Sequence, residues 1–483
     1  MRSPGGILLI SCYELGHQPF QLALFDAMLQ QAGYAPVIVD TAVEELTDET
    51  ICRARLVAIS VPMHTALRLG QQVALRVRSI NPHAHICFYG LYALLNADYL
   101  FQDTIDSAIG GEYEIPFLNL VAALEEVRGR PQGIAPTMDG VEEGHIDSSI
   151  AGVTTLQSNG GSWIKRTPYI VPTRLHLPSP DHYARLETNG ALLLAGYTET
   201  TRGCKHTCLH CPITPVYNGR FFAIPAEIVL ADIHAQLEQG VRHITFGDPD
   251  FFNGPAHAMR ITRALHEKYP GITFDATIKI EHLLKHRHLL PELRSLGCAF
   301  IVSAVESLND NVLRHLEKGH TSADISEVFD LMAQVEIPLR PSLMPFSPWE
   351  TLESYITLLN FVEERRIIEH IDPVHFSIRL LLPPGSALLT TPDSRQWLRE
   401  LDAAAFTFRW QHPDPRMDAL HRKVAILVEE ADRAKSNPVE TFFHIKAIAL
   451  AAAGKSLNGL EEKQYEGYGA PKALPHLTET WFC

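Results

Sequence analysis

Three cysteines stand close together in the run Thr-Arg-Gly-Cys-Lys-His-Thr-Cys-Leu-His-Cys-Pro. They are Cys204, Cys208 and Cys211, and their C-x3-C-x2-C spacing offers three thiolates to a metal cluster. A four-iron cluster held by three thiolates keeps one iron without a protein ligand. Such an open iron can bind a substrate or cofactor and pass an electron to it. The spacing therefore predicts an iron–sulfur cluster with an open coordination position.

Two other interpretations of the cysteine run are open. The first is chance clustering, but the chain has only 8 cysteines in 483 residues. The second is structural zinc, for which His206 and His210 inside the run could supply ligands, although no second Cys/His pair stands at zinc-finger distance. The isolated cysteines are most simply buried thiols, and they are Cys12, Cys52, Cys87 and Cys298.

Residues 1–125 alternate short apolar runs with amphipathic stretches, which predicts parallel strands covered by helices. The predicted strands are 6–11, 36–40, 56–61, 85–89 and 107–109, and the predicted helices are 21–31, 67–79, 95–101 and 115–126. This order predicts a flavodoxin-like doubly wound α/β sheet. Ligands of such sheets bind beyond the carboxyl ends of the strands.

The chain from residue 191 to residue 390 repeats a strand and then a helix. The predicted strands are 194–200, 243–247, 273–278, 299–305, 339–344 and 375–382, so the pattern predicts a partial (β/α)6 barrel of TIM type. Reactive groups of such barrels lie at the carboxyl ends of the strands, and the cysteine run follows the first strand. Residues 126–190 are predicted to be a linker, and residues 391–483 a mostly helical C-terminal appendage.

The cysteine spacing after the first barrel strand resembles that of the radical SAM superfamily. In that superfamily the open iron of a [4Fe-4S] cluster binds S-adenosyl-L-methionine and cleaves its sulfonium reductively. A flavodoxin-like sheet ahead of the barrel resembles the cobalamin-binding domain of the cobalamin-dependent group, with the Gly-Gly-Glu-Tyr-Glu turn at 110–114 as the best local match. The resemblance implies that cobalamin is bound at strand ends that include Gly90, Gly110, Gly111 and Glu112.

One departure concerns the cobalt ligand. The Asp-x-His-x-x-Gly signature, with which many cobalamin proteins supply a histidine to the cobalt, is absent from the first strand-to-helix loop. His17 lies in that loop and could approach a corrin. A loop histidine that makes surface hydrogen bonds is the simpler interpretation.

The resemblance also implies where S-adenosyl-L-methionine is bound. The segment Gly247, Asp248 and Pro249 takes the place of a Gly-Gly-Glu-like segment whose backbone carbonyls receive the methionyl amino group. On the fourth strand, Ser303 and Glu306 take the places of polar residues that touch the ribose and the carboxylate. A role for Glu306 in supporting only the following helix is the alternative.

Two arginines stand on otherwise apolar predicted strands. Arg340 and Arg379 are expensive to bury without an anionic partner, so each could hold the methionyl carboxylate or an acidic substrate. A buried structural ion pair is an equal alternative.

The sequence Trp-Phe-Cys at 481–483 resembles the start of a Cys-Sec-Ala-Glu-Pro or Cys-Cys-Ala-Glu-Pro tail found in one radical SAM family. The resemblance implies that Cys483 is half of a redox or metalloid-binding pair, in a reading frame cut at a selenocysteine codon. We then expect Cys483 to be dispensable for S-adenosyl-L-methionine cleavage but needed for turnover. An ordinary chain end is the alternative.

Composition limits the function classes. The net charge of −15 and the lack of a dense Lys/Arg cluster exclude a nucleic-acid partner. The first apolar run is too short for a secretory segment or a membrane span, so a cytoplasmic protein is expected.

The resemblance implies an enzyme that cleaves S-adenosyl-L-methionine and transfers a methyl or alkyl group to a small molecule, with flavodoxin or ferredoxin as electron donor. Transfer of a 3-amino-3-carboxypropyl group to arsenic or selenium is one alternative. A non-catalytic corrinoid-binding or redox-sensing protein is the other. The acidic balance disfavours a tRNA-modifying methylthiotransferase.

Overall fold

The computed structural model describes residues 1–101, 104–129, 149–455 and 474–479. Cys483 lies outside these residues, so its predicted role stays a prediction. No helix in the described part is long and apolar enough to cross a membrane.

The N-terminal region forms a sheet in the order β2-β1-β3-β4-β5-β6. Its first five strands are parallel, and β6 pairs with β5 in the antiparallel direction. The central strands β1, β3 and β4 are buried at every residue, as their continuous apolar sequences predict. The doubly wound prediction is confirmed. The strands are β1 (Ile7–Ser11), β2 (Val37–Asp40), β3 (Leu56–Ser60), β4 (His85–Tyr89), β5 (Ser107–Ile109) and β6 (Val153–Thr154).

Helices cover both faces of this sheet, and β6 comes from the region that was predicted to be a linker. The helices are α1 (Phe20–Gln31), α2 (Asp48–Arg53), α3 (His64–Ile80), α4 (Leu91–Leu95), α5 (Ala97–Leu100) and α6 (Glu114–Gly129).

A second sheet, in the order β14-β13-β12-β11-β8-β7-β17, forms the partial barrel. The strands β8, β11, β12, β13 and β14 are parallel, whereas β7 and β17 extend the sheet in the antiparallel direction. A separate hairpin of β9 and β10 carries the chain into and out of the cysteine run. The strands are β7 (Arg185–Thr188), β8 (Ala191–Thr198), β9 (Thr201–Gly203), β10 (Phe221–Ala223), β11 (His243–Phe246), β12 (Thr273–Thr277), β13 (Cys298–Glu306), β14 (Leu339–Leu343) and β17 (His476–Leu477).

The sixth predicted barrel strand is reduced to a bridge. Residues Pro373–Phe376 form a 3-10 turn, and the chain then touches the segment after β14 through a bridge between Phe346 and Arg379. Two backbone hydrogen bonds make this bridge, from Phe346 N to Ile378 O (3.2 Å) and from Leu380 N to Phe346 O (2.8 Å). The barrel-type half-open sheet is as predicted, but its last unit is irregular.

Helices pack on the outer side of the barrel sheet. The segment 280–295 forms two short helices, because Pro291 has no backbone N–H and favours the first turn of a new helix. The helices are α7 (Ile213–Tyr217), α8 (Ala226–Glu238), α9 (Pro255–Lys268), α10 (Ile280–Lys285), α11 (Leu290–Ser295), α12 (Asp310–His315), α13 (Ser322–Gln334) and α14 (Leu352–Glu364).

The region after residue 390 is mostly helical, as predicted, and also contains a β-hairpin that was not predicted. Asp414 caps α16 by accepting a hydrogen bond from Arg416 N, and Pro415 occupies the first turn. Among the isolated cysteines, Cys12, Cys87 and Cys298 are buried, whereas Cys52 is exposed and the prediction of burial was wrong there. The elements are α15 (Ser394–Trp397), β15 (Leu398–Asp402), β16 (Thr407–Trp410), α16 (Pro415–Ala434) and α17 (Pro438–Ala452).

Candidate active site

The three cysteines of the run line one cavity of about 360 Å³ at the carboxyl ends of the barrel strands. We call it the cysteine cavity. All three thiols are free of disulfide bonds. Burial raises the pKa of Cys204 to about 11 and that of Cys211 to about 12. The thiols of Cys204 and Cys211 are therefore protonated at neutral pH until a metal binds, and metal binding has to release those protons.

The loop that carries the cysteines is fixed to the end of β11. Asp248 accepts hydrogen bonds from Thr200 N (3.0 Å), Thr200 Oγ1 (2.7 Å) and Thr201 Oγ1 (2.5 Å). Burial raises the pKa of Asp248 to about 6, although these donors act against the shift. Asn253 accepts from Lys205 N (3.2 Å) and donates to Gly203 O (3.3 Å). These contacts hold the backbone on either side of Cys204.

Two lysines place positive charge beside the thiols. Lys279 Nζ lies 3.7 Å from Cys208 Sγ. Lys318 Nζ donates to Glu306 Oε1 (3.2 Å), and His210 Nε2 lies 3.2 Å from the same oxygen. Burial alone would raise the pKa of Glu306, but Lys318 and His210 hold it well below its usual range. Glu306 is thus an ionised carboxylate at the cavity wall.

Glu306 also has an unusual backbone. Its φ of 65° lies in the left-handed region, where a residue other than glycine is strained. Such strain tends to persist at functional sites, where surrounding contacts hold it in place. Met344 N donates to the carbonyl of Glu306 at 2.8 Å and fixes this conformation.

A second cavity of about 240 Å³ lies between the two sheets. We call it the interdomain cavity. One side is formed by loops at the carboxyl ends of β1, β3, β4 and β5, and the other by the barrel. The residues that line both cavities are Leu15, His17, Tyr197, Ile213, Gly247 and Pro249. A ligand in one cavity therefore lies next to a ligand in the other.

His17 is buried between the two cavities, so the surface interpretation of this histidine was wrong. It is 7% exposed, and its ring centroid lies 4.9 Å from that of Tyr197. Burial lowers the pKa of His17 to about 4, and the Asp275 carboxylate offsets only part of that effect. The imidazole is therefore neutral at physiological pH.

We expect substitution of His17 by glutamine to reduce the loss of stability at low pH. In the unfolded chain the imidazole gains a proton near pH 6.5, but in the folded chain only near pH 4. The stability that the folded chain gains from keeping His17 neutral is therefore fully present above pH 6.5 and is lost as the pH falls toward 4. This difference corresponds to on the order of 3 kcal/mol.

Thermal unfolding of H17Q and the wild type between pH 7 and pH 4 measures this effect. The exposed His288 provides the control, since H288Q should follow the wild type. If the unfolding temperatures of H17Q and the wild type fell by the same amount between pH 7 and pH 4, the assignment of His17 as a buried neutral imidazole would be contradicted.

Gly247 allows the ring of Tyr197 to pack on the backbone. A Cβ atom at Gly247 would lie 1.9 Å from Tyr197 Oη, a distance that no side chain tolerates. We expect G247A to lower the free energy of unfolding by about 1–3 kcal/mol and to displace Tyr197 into the cavities. The matched control is G271A, because a Cβ there meets nothing within 4 Å. Denaturant unfolding of both variants tests this expected loss of stability. Equal unfolding midpoints for G247A and G271A would contradict it.

The C-terminal strand completes the cysteine cavity. Pairing of β17 with β7 brings Leu477 and Glu479 to the cavity wall, where Glu479 accepts a hydrogen bond from Tyr13 Oη (3.2 Å). The place of both residues at the cavity could not be predicted, because a two-residue strand has no periodic signal in the sequence.

Residues 198–362 match the sequence model of the Radical SAM superfamily. This part of the chain is therefore similar to radical SAM domains. The matched region runs from the last residue of β8 into α14 and includes the cysteine run, the strand ends at Gly247 and Glu306, and both cavity lysines. The similarity supports an enzymatic function.

Sequence relatives include the ribosomal protein uS12 methylthiotransferase RimO of Parabacteroides distasonis, which is 24% identical over 200 residues. That similarity covers 39% of this chain and 43% of RimO, so the chain spans less than half of this relative. An uncharacterized methyltransferase of Pyrococcus horikoshii is 20% identical over 361 residues, which cover 72% of this chain and 73% of the relative.

Two solved structures share the fold. OxsB, a cobalamin-dependent S-adenosylmethionine radical enzyme solved with aqua-cobalamin and S-adenosylmethionine, superimposes with a TM-score of 0.68 over 88% of this chain and 66% of its own, at 13% identity. TsrM of Kitasatospora setae, a radical S-adenosylmethionine methyltransferase solved with cobalamin and a [4Fe-4S] cluster, gives 0.56 over 76% and 74%, at 15% identity. The radical SAM domain and the preceding doubly wound sheet thus occur together in known structures.

Several predicted site residues line the cysteine cavity or the interdomain cavity. Gly247, Asp248, Pro249, Glu306 and Arg340 lie at the cysteine cavity. Arg340 also pairs with Asp372 at 3.3 Å, so its guanidinium has a protein partner. In the N-terminal sheet, Gly90 and Gly111 lie at the interdomain cavity.

Four other predicted residues lie elsewhere. Ser303 is fully buried on the opposite face of β13 from Val302 and Ala304, which line the cysteine cavity. Arg379 pairs with Asp418 (2.8 Å) and stacks on Trp410, the structural ion pair that was the alternative. Gly110 packs against Leu94. Glu112 accepts hydrogen bonds from Tyr217 (2.9 Å) and Tyr169 (3.2 Å) inside a buried network.

Proposed function

We propose that this chain is a radical SAM enzyme that binds a [4Fe-4S] cluster through Cys204, Cys208 and Cys211 and cleaves S-adenosyl-L-methionine reductively. We further propose that it binds cobalamin in the interdomain cavity and transfers a methyl or alkyl group to a small molecule. The observation that carries the proposal is the shared wall of the two cavities: three free thiols line one, and the carboxyl ends of a doubly wound sheet line the other.

The donor set of the cysteine cavity suits a cluster. Two buried thiols and the half-buried thiol of Cys211, with two lysines nearby, supply soft anionic ligands once deprotonated, and no described thiol is tied up in a disulfide bond. When bound, such a cluster supplies the electron that breaks a carbon–sulfur bond of the sulfonium. Lys279 and Lys318 stabilise the thiolates by charge, since both are buried beside them.

The residues around the cluster ligands suit a zwitterionic cofactor. The backbone at Gly247, Asp248 and Pro249 would receive the methionyl amino group through its carbonyls. Glu306 is held ionised at the wall and would accept a hydrogen bond from a ribose hydroxyl. Arg340 would approach the carboxylate, although Asp372 competes for it.

The interdomain cavity suits the apolar face of a corrin. Leu15, Met63 and Leu91 give it an apolar wall at the carboxyl ends of the strands, where doubly wound sheets bind ligands. Cobalamin, when bound, supplies a methyl carrier. Gly90, Gly111 and His17 would be among the residues that hold it.

Product analysis tests the proposed cleavage. The full chain, reconstituted anaerobically with iron and sulfide and reduced, should convert S-adenosyl-L-methionine to 5′-deoxyadenosine or S-adenosylhomocysteine. Formation of methylthioadenosine would indicate transfer of the 3-amino-3-carboxypropyl group instead. E306Q should slow cleavage, whereas E317Q, at an exposed position, should not. Cluster binding with no cleavage would leave the redox-sensing alternative.

Titration of the full chain with hydroxocobalamin tests the second cavity. The substitution L91R places a charge in the interdomain cavity and should weaken cobalamin binding by about tenfold or more. A tenfold change corresponds to about 1.4 kcal/mol. Leu75 is exposed on α3, so L75R is a matched control. Equal binding by L91R and the wild type, or no binding by either, would reject cobalamin in this cavity.

A further inference from the structure

A cluster of three potential metal ligands lies behind the cysteine run. His206, Asp250 and His282 bring one ligand atom each to within 4.8 Å of one another. His206 stands between Cys204 and Cys208, Asp250 follows β11, and His282 lies in α10 after β12. The loop and the ends of two barrel strands therefore meet at this point.

The atoms that face each other in this cluster have no hydrogen bonds. His206 Nε2, Asp250 Oδ2 and His282 Nδ1 are all buried and unpaired within the described residues. His282 Nδ1 lies 2.6 Å and His206 Nε2 3.4 Å from Asp250 Oδ2. Unpaired buried polar atoms are rare in folded proteins, and an absent ion is one of their ordinary explanations.

The three side chains differ in how their remaining polar atoms are held. Asp250 Oδ1 accepts a hydrogen bond from Phe252 N (3.1 Å), which leaves Oδ2 free for the histidines. Asp250 is 0% and the His282 side chain 1% exposed. The other ring nitrogen of His206 lies 3.7 Å from Glu281, and His282 Nε2 is buried without a hydrogen bond within the described residues.

We propose that His206, Asp250 and His282 bind a mononuclear divalent transition-metal ion such as Zn²⁺, separate from the cluster of the three cysteines. Two imidazoles and a carboxylate suit first-row divalent ions, which bind such ligands at about 2.0–2.2 Å. The ion ties the cysteine loop to the ends of β11 and β12. Its ligands are distinct from the three thiols, so each site can be removed without the other.

Cobalt titration of a cluster-free chain tests this site. The full chain with Cys204, Cys208 and Cys211 replaced by alanine is stripped of metal and titrated with Co²⁺, whose visible absorption reports the ligand geometry. We expect one Co²⁺ per chain, displaced by Zn²⁺. Binding should weaken at least about tenfold in D250N and in H282Q, because each removes a ligand. H288Q removes an exposed histidine of the same segment and should bind as its parent.

A second measurement covers the case in which the cluster-free chain does not fold, as judged by circular dichroism. Zinc is then determined by mass spectrometry in the wild-type chain after anaerobic iron–sulfide reconstitution, with D250N and H282Q beside it. About one zinc per chain, lost in both variants, supports the site. Absence of Co²⁺ and Zn²⁺ binding, or binding unchanged in D250N and H282Q, overturns it and leaves a metal-free His–Asp–His cluster.

Discussion

Replacing Cys204, Cys208 and Cys211 together by alanine should abolish iron binding and S-adenosyl-L-methionine cleavage. The wild-type chain, reconstituted anaerobically, should hold about four iron and four sulfide per chain, because three thiolates with one open iron fit a four-iron cluster. No other described cysteine lines the cysteine cavity, so no replacement thiol is at hand. Iron analysis and Mössbauer spectra measure the loss.

The exposed Cys52 gives a matched control for this experiment. C52A should keep the full iron content, since its thiol lies in the N-terminal sheet region at the end of α2. An unchanged iron content in the triple alanine variant would defeat the proposed cluster site.

The substitution R202M should lower the free energy of unfolding by about 3–5 kcal/mol. Among the described residues, Arg202 is the only cation in a group of buried carboxylates, and the substitution removes it. Arg202 pairs with Glu199 (2.9 Å), with Glu114 and with Glu112 (3.7 Å). Burial raises the pKa of Glu112 and Glu199, and the Arg202 charge counteracts the rise. Glu112 and Glu114 belong to the N-terminal sheet region, so the loss should also loosen the contact between the two sheets.

The measurement is thermal and denaturant unfolding of R202M beside R433M. Arg433 forms an exposed pair with Glu429, and such pairs contribute little. The double variant R202M/E114Q should recover part of the loss, because it removes one of the stranded charges. A midpoint for R202M equal to that of R433M would show that the network does not stabilise the fold.

The two sheets could be predicted from the sequence because their parallel strands are continuous apolar runs. Strands such as β1, β3 and β4 are buried on both faces, and this gives a strong local signal. The sixth barrel unit could not be predicted in the same way. Its apolar run near Leu380 is held by the bridge at Phe346, by Trp410 and by Thr407, which are tertiary contacts.

The candidate site was predictable where spacing alone identifies it, as for Cys204, Cys208 and Cys211. The face of β13 that lines the cavity carries Val302, Ala304 and Glu306, whereas Ser303 faces away. Successive side chains of a strand alternate between its two faces, so Ser303 and Glu306 could not both have faced the cavity. The burial of His17 could not be predicted, because only docking of the two sheets buries it.

The wall of the cysteine cavity has a consequence for the order of folding. Leu15 and His17 come from the beginning of the described chain, the thiols from its middle, and Leu477 and Glu479 from its last described strand. Contacts between segments so far apart in sequence form late, after local helices and strands. A chain still on the ribosome, before β17 emerges, lacks this part of the cavity wall. The complete cysteine cavity should therefore form only after β17 docks against β7.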